Sequence, residues 1–305
     1  MRLIFAGTPS VAVSSLLSLI ESDHEIVAVI SREDAPLGRK RVLTPSPVAH
    51  AAEERGIPVL KANRLTAEMA ETVRALNADL GVIVAYGGLV REPLLSTPRL
   101  GWINLHFSLL PAWRGAAPVQ RSLIAGDTVT GASVFQLVPA LDAGDVFGTV
   151  EHQVSPDVTA GALLDELAAV GSDLLVSVVD DIATGTAVAL PQSGEVTLAP
   201  KLTLDDGRLD WSEDAGALYS RIRGVTPEPG AHTTIGGARF KILEANPRPE
   251  LTLQPGELAL HDKVVLIGTG STALELVSVQ PAGKSAMRAA DWWRGLGPDP
   301  RIVAE

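Results

Sequence analysis

In "INLHFSLLPAWRG", residues 103–115, an asparagine and a histidine stand two apart inside an apolar run. Side chains alternate faces along a strand, so Ile103, Leu105 and Phe107 point one way while Asn104 and His106 point the other. Two steps of about 3.3 Å put their Cα atoms roughly 7 Å apart, so an amide and an imidazole can converge on one small group. A carbonyl is the obvious chemical use of that pair. The other five histidines, His24, His50, His152, His232 and His261, have no such neighbour. His106 also closes its strand just before a turn, where open α/β sheets place their ligands. Further on, "LDAGDV" sets two carboxylates, Asp142 and Asp145, around Gly144. Either suits an Asx-type turn, and one placed beside His106 would orient the ring and stabilise its protonated form. Spacing alone leaves both uses open.

Two other stretches carry chemistry of a different kind. "PLGRKRVLTPSP" holds the only run of three basic residues, Arg39, Lys40 and Arg41, in a loop flanked by prolines. It reads either as a solvated surface loop or as an arm gripping a phosphate backbone. "AGTPS" follows the first strand with a single glycine, Gly7, and lacks the GxGxxG spacing of a dinucleotide site. Turn and cap duty explains it equally well, and a nicotinamide enzyme is poorly supported. The absence of cysteine excludes disulfides, thiolate metal sites and cysteine nucleophiles.

The elements that must position these residues follow from periodicity. Short β-branched runs alternate with amphipathic ones from "RLIFAG" through "EIVAVIS", "IPVL" and "DLGVIVAYG" to "GWINLHF", which predicts βαβ units on a mostly parallel sheet. A long helix is predicted over about 159–182. The first domain then closes at 187, and residues 188–207 lose periodicity and read as a linker. Residues 208–305 carry short alternating segments punctuated by Gly and Pro, which predicts a small β-barrel or sandwich. A chain of 305 residues with 46% apolar composition can bury two cores. No stretch is long enough to span a bilayer, so the protein is expected to be cytoplasmic, with no membrane contact. Net charge is −11, and most of the acidity lies before residue 206. That balance argues against general coating of nucleic acid but leaves local basic sites available.

"INLHFSLLPAWRGAAPVQRSLIAGD" followed by "LDAGDV" resembles the signature of the formyltetrahydrofolate-dependent formyltransferases. "MRLIFAGTPSVAV", "APLGRKRVLTPSPV", "LTLDDGRLDW", "IRGVTPEPGA" and "VQPAGKSAMRAADWWRG" extend the resemblance over essentially the full length, toward the branch acting on aminoacyl-tRNA. It implies an α/β, Rossmann-like catalytic domain (1–187) and a C-terminal OB-like β-barrel (208–305) that contacts tRNA. It implies that Asn104, His106 and Asp142 are catalytic and that Ser108, Leu109, Leu110 and Pro111 line the folate site. Arg39 matches the functional arginine of the family's inserted loop, and Lys40 and Arg41 extend that tRNA contact. The implied reaction moves the formyl group of 10-formyltetrahydrofolate to the α-amino group of methionine on initiator methionyl-tRNA. The amide of Asn104 and a ring N–H of His106 would stabilise the formyl oxygen, with no metal, in a monomer. The alternative is a formyltransferase acting on an amino sugar nucleotide, against which the long basic loop argues. Glu228, Ser10 and Val11 depart from the family's usual residues, away from the trio.

Overall fold

The computed structural model describes residues 1–38, 40–296 and 302–305. The chain divides into two compact units. The first comprises residues 1–118, 129–153 and 164–200, and the second comprises 119–128, 154–163 and 201–305.

The first unit is built on seven strands. These are β1 (Arg2–Gly7), β2 (Glu25–Ser31), β3 (Val59–Lys61), β4 (Leu80–Val84), β5 (Trp102–His106), β6 (Val129–Gln136) and β7 (Val146–Gln153). Their spatial order is β7-β6-β5-β4-β1-β2-β3. Strands β5 to β3 along that order are parallel, while β6 runs antiparallel to both β5 and β7. The central strands β1 and β4 are nearly continuous apolar runs because both of their faces are covered. From β1 the chain builds outward to β2 and β3, then crosses to the other side of β1 for β4. The crevice at the carboxyl ends of β1 and β4 is therefore the switch point where such sheets bind ligands. Gly81 in β4 has a steric reason: a Cβ there would sit 2.1 Å from the ring of Trp102, which is fully buried.

The basic loop forms a two-stranded hairpin, Ala35–Leu37 with Val42–Thr44. Lys40 and Arg41 are exposed in its turn, and Leu37, Val42 and Leu43 are exposed beside them. Arg39 lies outside the described residues.

The second unit is an antiparallel sheet of β8 (Ala231–Ile235), β9 (Ala238–Arg248), β10 (Glu257–His261), β11 (Val264–Gly268), β12 (Ala273–Pro281) and β13 (Ile302–Val303). The order is β8-β9-β12-β11-β10-β13, and Met287–Arg288 adds to β12. The last residues join the two edges: Thr234 and Glu305 exchange both backbone bonds, at 3.1 and 2.9 Å, and Ile235 bridges Ala304. A full ring of strands leaves no open edge. Alternate positions along these strands bury a core around Phe240, Ile242, Ile267, Leu274 and Leu276.

Candidate active site

Asn104 and His106 lie on β5 as strand alternation requires. In register, Asn104 stands between Ile83 of β4 and Phe135 of β6, and His106 stands opposite Ser133. His106 is buried, with its ring edge-on to Phe135. Its Nε2 lies 2.9 Å from the carbonyl of Trp113. A carbonyl can only accept, so Nε2 carries the proton and Nδ1 of the neutral ring keeps the lone pair. Burial pushes the imidazole below its ordinary pKa, and the Asp142 carboxylate and the Trp113 carbonyl partly oppose that. The expected donation from the ring to a formyl oxygen thus meets a constraint: the N–H of the neutral ring is already spent on Trp113.

Asp142 sits in the turn between β6 and β7 with a left-handed φ of 45°. Its Oδ2 accepts the Gly115 N–H at 2.8 Å. Gly144 permits that turn, since a Cβ there would fall 1.7 Å from the Gln136 carbonyl oxygen. Asp142 therefore comes to His106, and Asp145 does not share its setting: its carbonyl accepts the Gln136 N–H and continues the strand pairing.

Two cavities open on the carboxyl edge of the sheet. One, about 380 Å³, is walled by residues 88–92, Leu95 and 137–142 together with Ile83 and Asn104. The other, about 410 Å³, is walled by residues 85–89, 104–107, Gly115, Ala116, Pro118, Leu141 and Asp142, again with Ile83. Ile83, Gly88, Leu89, Asn104, Leu141 and Asp142 belong to both walls, whereas His106 faces only the second. The loop between the cavities is pinned from below: Thr8 Oγ1 donates to the Tyr86 carbonyl and Arg32 Nη2 to the Gly87 carbonyl. The "AGTPS" turn therefore supports this loop through Thr8.

Ser108, Leu109, Leu110 and Pro111 lie outside both walls. Ser108 is fully buried and donates to the Ala112 carbonyl, the Leu110 N–H donates to Ser133 Oγ, and Leu109 packs where Gly131 leaves room on β6. Ser108, Leu110 and Pro111 are buried behind His106, and Leu109 is half-buried beside β6. The walls at 88–92 and 137–141 carry no chemical motif, and only the Gly87-Gly88 pair after β4 marks a turn at the right strand end. Among the described residues no three His, Asp or Glu side chains gather as a metal site, and no helix is long and apolar enough to cross a membrane.

A polar trio at the carboxyl edge of such a sheet, followed by a β-ring, defines a two-domain formyl transferase. Residues 1–179 match the family model described as formyl transferase, and residues 201–297 match the formyl transferase C-terminal domain. The chain is 62% identical over 297 residues to the methionyl-tRNA formyltransferase of Leifsonia xyli subsp. xyli, covering 97% of this chain and 98% of that one. Its counterpart in Paenarthrobacter aurescens is 56% identical over the whole of both chains. Within the formyl transferases, the chain belongs to the methionyl-tRNA formyltransferase family. The fold also matches the crystal structure of the N-formyltransferase from Helicobacter canadensis in complex with folinic acid and dTDP-3-aminofucose. That match has a TM-score of 0.70 at 16% identity, covering 92% of this chain and 99% of the other.

Proposed function

We propose that this enzyme transfers the formyl group of 10-formyltetrahydrofolate to the α-amino group of methionine carried on initiator methionyl-tRNA. The observation that carries the reading is the shared wall: two cavities meet at Asn104 and Asp142, as a reaction between two separately bound substrates requires. The first cavity suits the folate. Its apolar walls at Leu89, Val90, Leu95, Leu137 and Val138, bordered by main chain, fit a flat heterocycle that is recognised by backbone polar groups. The second takes the aminoacyl end. The folate supplies the formyl carbon and the nitrogen that leaves.

The residues then divide the work. The Asn104 amide donates to the formyl oxygen as negative charge builds there, a contact typically worth about 2.7–4 kcal/mol. The neutral α-amine attacks the formyl carbon, His106 Nδ1 takes the proton that its nitrogen sheds once the new C–N bond makes it cationic, and Asp142 stabilises the resulting imidazolium. The donor nitrogen regains a proton as its bond to the formyl carbon breaks. We further propose that residues 1–187 act as the catalytic domain and 208–305 as a tRNA-binding domain, joined by 188–207, whose first part, up to Pro200, belongs to the first unit. On this reading Arg39, Lys40 and Arg41 of the "PLGRKRVLTPSP" stretch meet tRNA phosphates, and the enzyme acts as a monomer in the cytoplasm.

Identity of 62% to a tRNA-directed relative, against 16% to an aminosugar-directed one, favours tRNA over a sugar nucleotide. Incubation with labelled formyl folate and, in turn, methionyl-tRNA, an aminosugar nucleotide or water tests the choice. Label should pass to methionyl-tRNA; transfer to the sugar nucleotide instead would overturn it.

A further inference from the structure

Asp142 of the trio and Trp113, which holds His106, both have left-handed backbones, at φ 45° and φ 61°. Each such residue is strained unless its surroundings fix it. Both are fixed by one extended segment that follows the helix Ala160–Thr184 and belongs to the first unit. Gln192 Nε2 donates to the Asp142 carbonyl and to the Gly144 carbonyl, each at 2.8 Å. Gln192 Oε1 accepts from Arg114 Nε and Nη2 at 3.1 and 2.6 Å. That uses both donors and both lone pairs of the amide. Thr197 Oγ1 accepts the Trp113 N–H at 2.8 Å, and the carbonyl of Trp113 holds His106 Nε2. Leu198–Ala199 then pair in parallel with Arg114–Gly115, and Gly115 donates to Asp142 Oδ2.

We propose that Gln192 and Thr197 are positioning residues for formyl transfer, Gln192 acting through Asp142 and Thr197 through Trp113 on His106. The proposal rests on the trio being the reacting groups. The segment from Leu190 to Ala199 then completes the active site from behind. Neither side chain borders either cavity, so neither is placed to touch substrate. A Met at 192 keeps the length and loses every hydrogen bond. A Glu keeps the acceptor for Arg114 but turns an anion toward two carbonyls. A Val at 197 removes only the hydroxyl acceptor, because Thr197 also accepts the Arg114 N–H through its backbone.

The test is a double-substitution cycle in the full-length enzyme, measured as formyl transfer to methionyl-tRNA alongside thermal melting. Displacement of a reacting group by about an ångström costs on the order of 10²-fold. Gln192→Met and Gln192→Glu should each lower kcat 10- to 100-fold, with the KM for either substrate changed less than threefold. In an Asp142→Asn background the further loss from Gln192→Met should shrink below threefold, because groups that act in series are not additive. Thr197→Val should lower kcat about threefold to tenfold, and Thr197→Ser should restore it. Full additivity of the Gln192 and Asp142 losses, or a wild-type kcat for Gln192→Met, overturns the proposal. Normal turnover in Asp142→Asn alone would instead overturn the assignment of the trio.

Discussion

Truncating Asn104 isolates the electrostatic contribution more cleanly than any other change at this site. The residue is half-buried, and its backbone is held in the sheet ladder on both sides by Ile83 and Phe135. Among the described residues its side-chain amide makes no hydrogen bond to protein, so Asn104→Ala leaves no buried partner unsatisfied. The stability cost should stay near the ±0.5 kcal/mol of an unencumbered substitution. The kinetic cost should not: loss of an oxyanion donor is worth about 2.7–4 kcal/mol, or 10²–10³ in rate. Asn104→Asp sharpens the test, since it preserves size while replacing a donor with a second carboxylate beside Asp142. It should be at least as slow as the alanine variant. The assay is initial-rate transfer at saturating folate and methionyl-tRNA, with a thermal melt of each variant. A kcat within threefold of wild type for either variant would refute the donor role, as would a rate loss that merely tracks the melting temperature.

Four further outcomes follow from His106, the hairpin and the sheet core. Because burial holds His106 below the ordinary imidazole value of 6.5, the ring is neutral at neutral pH. kcat/KM should stay flat through neutrality and fall only at lower pH, and Asp142→Asn should move that limb further toward acid. The same shift means that the unfolded chain binds the His106 proton first, so its contribution to stability declines as pH drops below 6.5; urea titrations across that range check the sign. Lys40→Glu with Arg41→Glu should raise the KM for tRNA, flatten its salt dependence by about one unit of slope per lost phosphate contact, and spare folate binding. Gly81→Ala would press a Cβ into the Trp102 ring, and a loss of about 1–3 kcal/mol is expected by chemical denaturation.

The sequence displayed whatever depends on the order of apolar and polar side chains. The parallel strands were visible as β-branched runs, and Asn104 and His106 were visible because alternation forces them onto one face. The wall of the first cavity is less legible for a related reason. Residues 88–92 and 137–142 shape that cavity largely through chain path and small side chains, and side-chain type records those poorly. Ser108, Leu109, Leu110 and Pro111 adjoin His106 in the chain, and the same turn that ends β5 carries them behind it. Gln192 and Thr197 sit in a stretch without periodicity, so only their three-dimensional partners reveal their work. Closure of the C-terminal ring by Ala304 and Glu305 was equally invisible, since two residues carry no pattern.

The tautomer of His106 constrains the route of the proton. With Nε2–H committed to Trp113, the ring has one working nitrogen and cannot relay a proton from one end to the other. A proton taken at Nδ1 from the amine must leave by the same atom. His106 borders only the second cavity, whereas on the proposed assignment the leaving nitrogen belongs to the folate in the first. Asp142 borders both, so its carboxylate, directly or through a water, is the group that can hand a proton across the shared wall. Asp142→Asn keeps the size of the side chain and removes that capacity along with the charge that supports the imidazolium. It should therefore cost more than Asn104→Ala, at about 10³-fold or beyond. Single-turnover transfer measured for the two variants side by side decides the matter: if Asp142→Asn is the faster enzyme, the carboxylate only orients the ring and the proton crosses by another path.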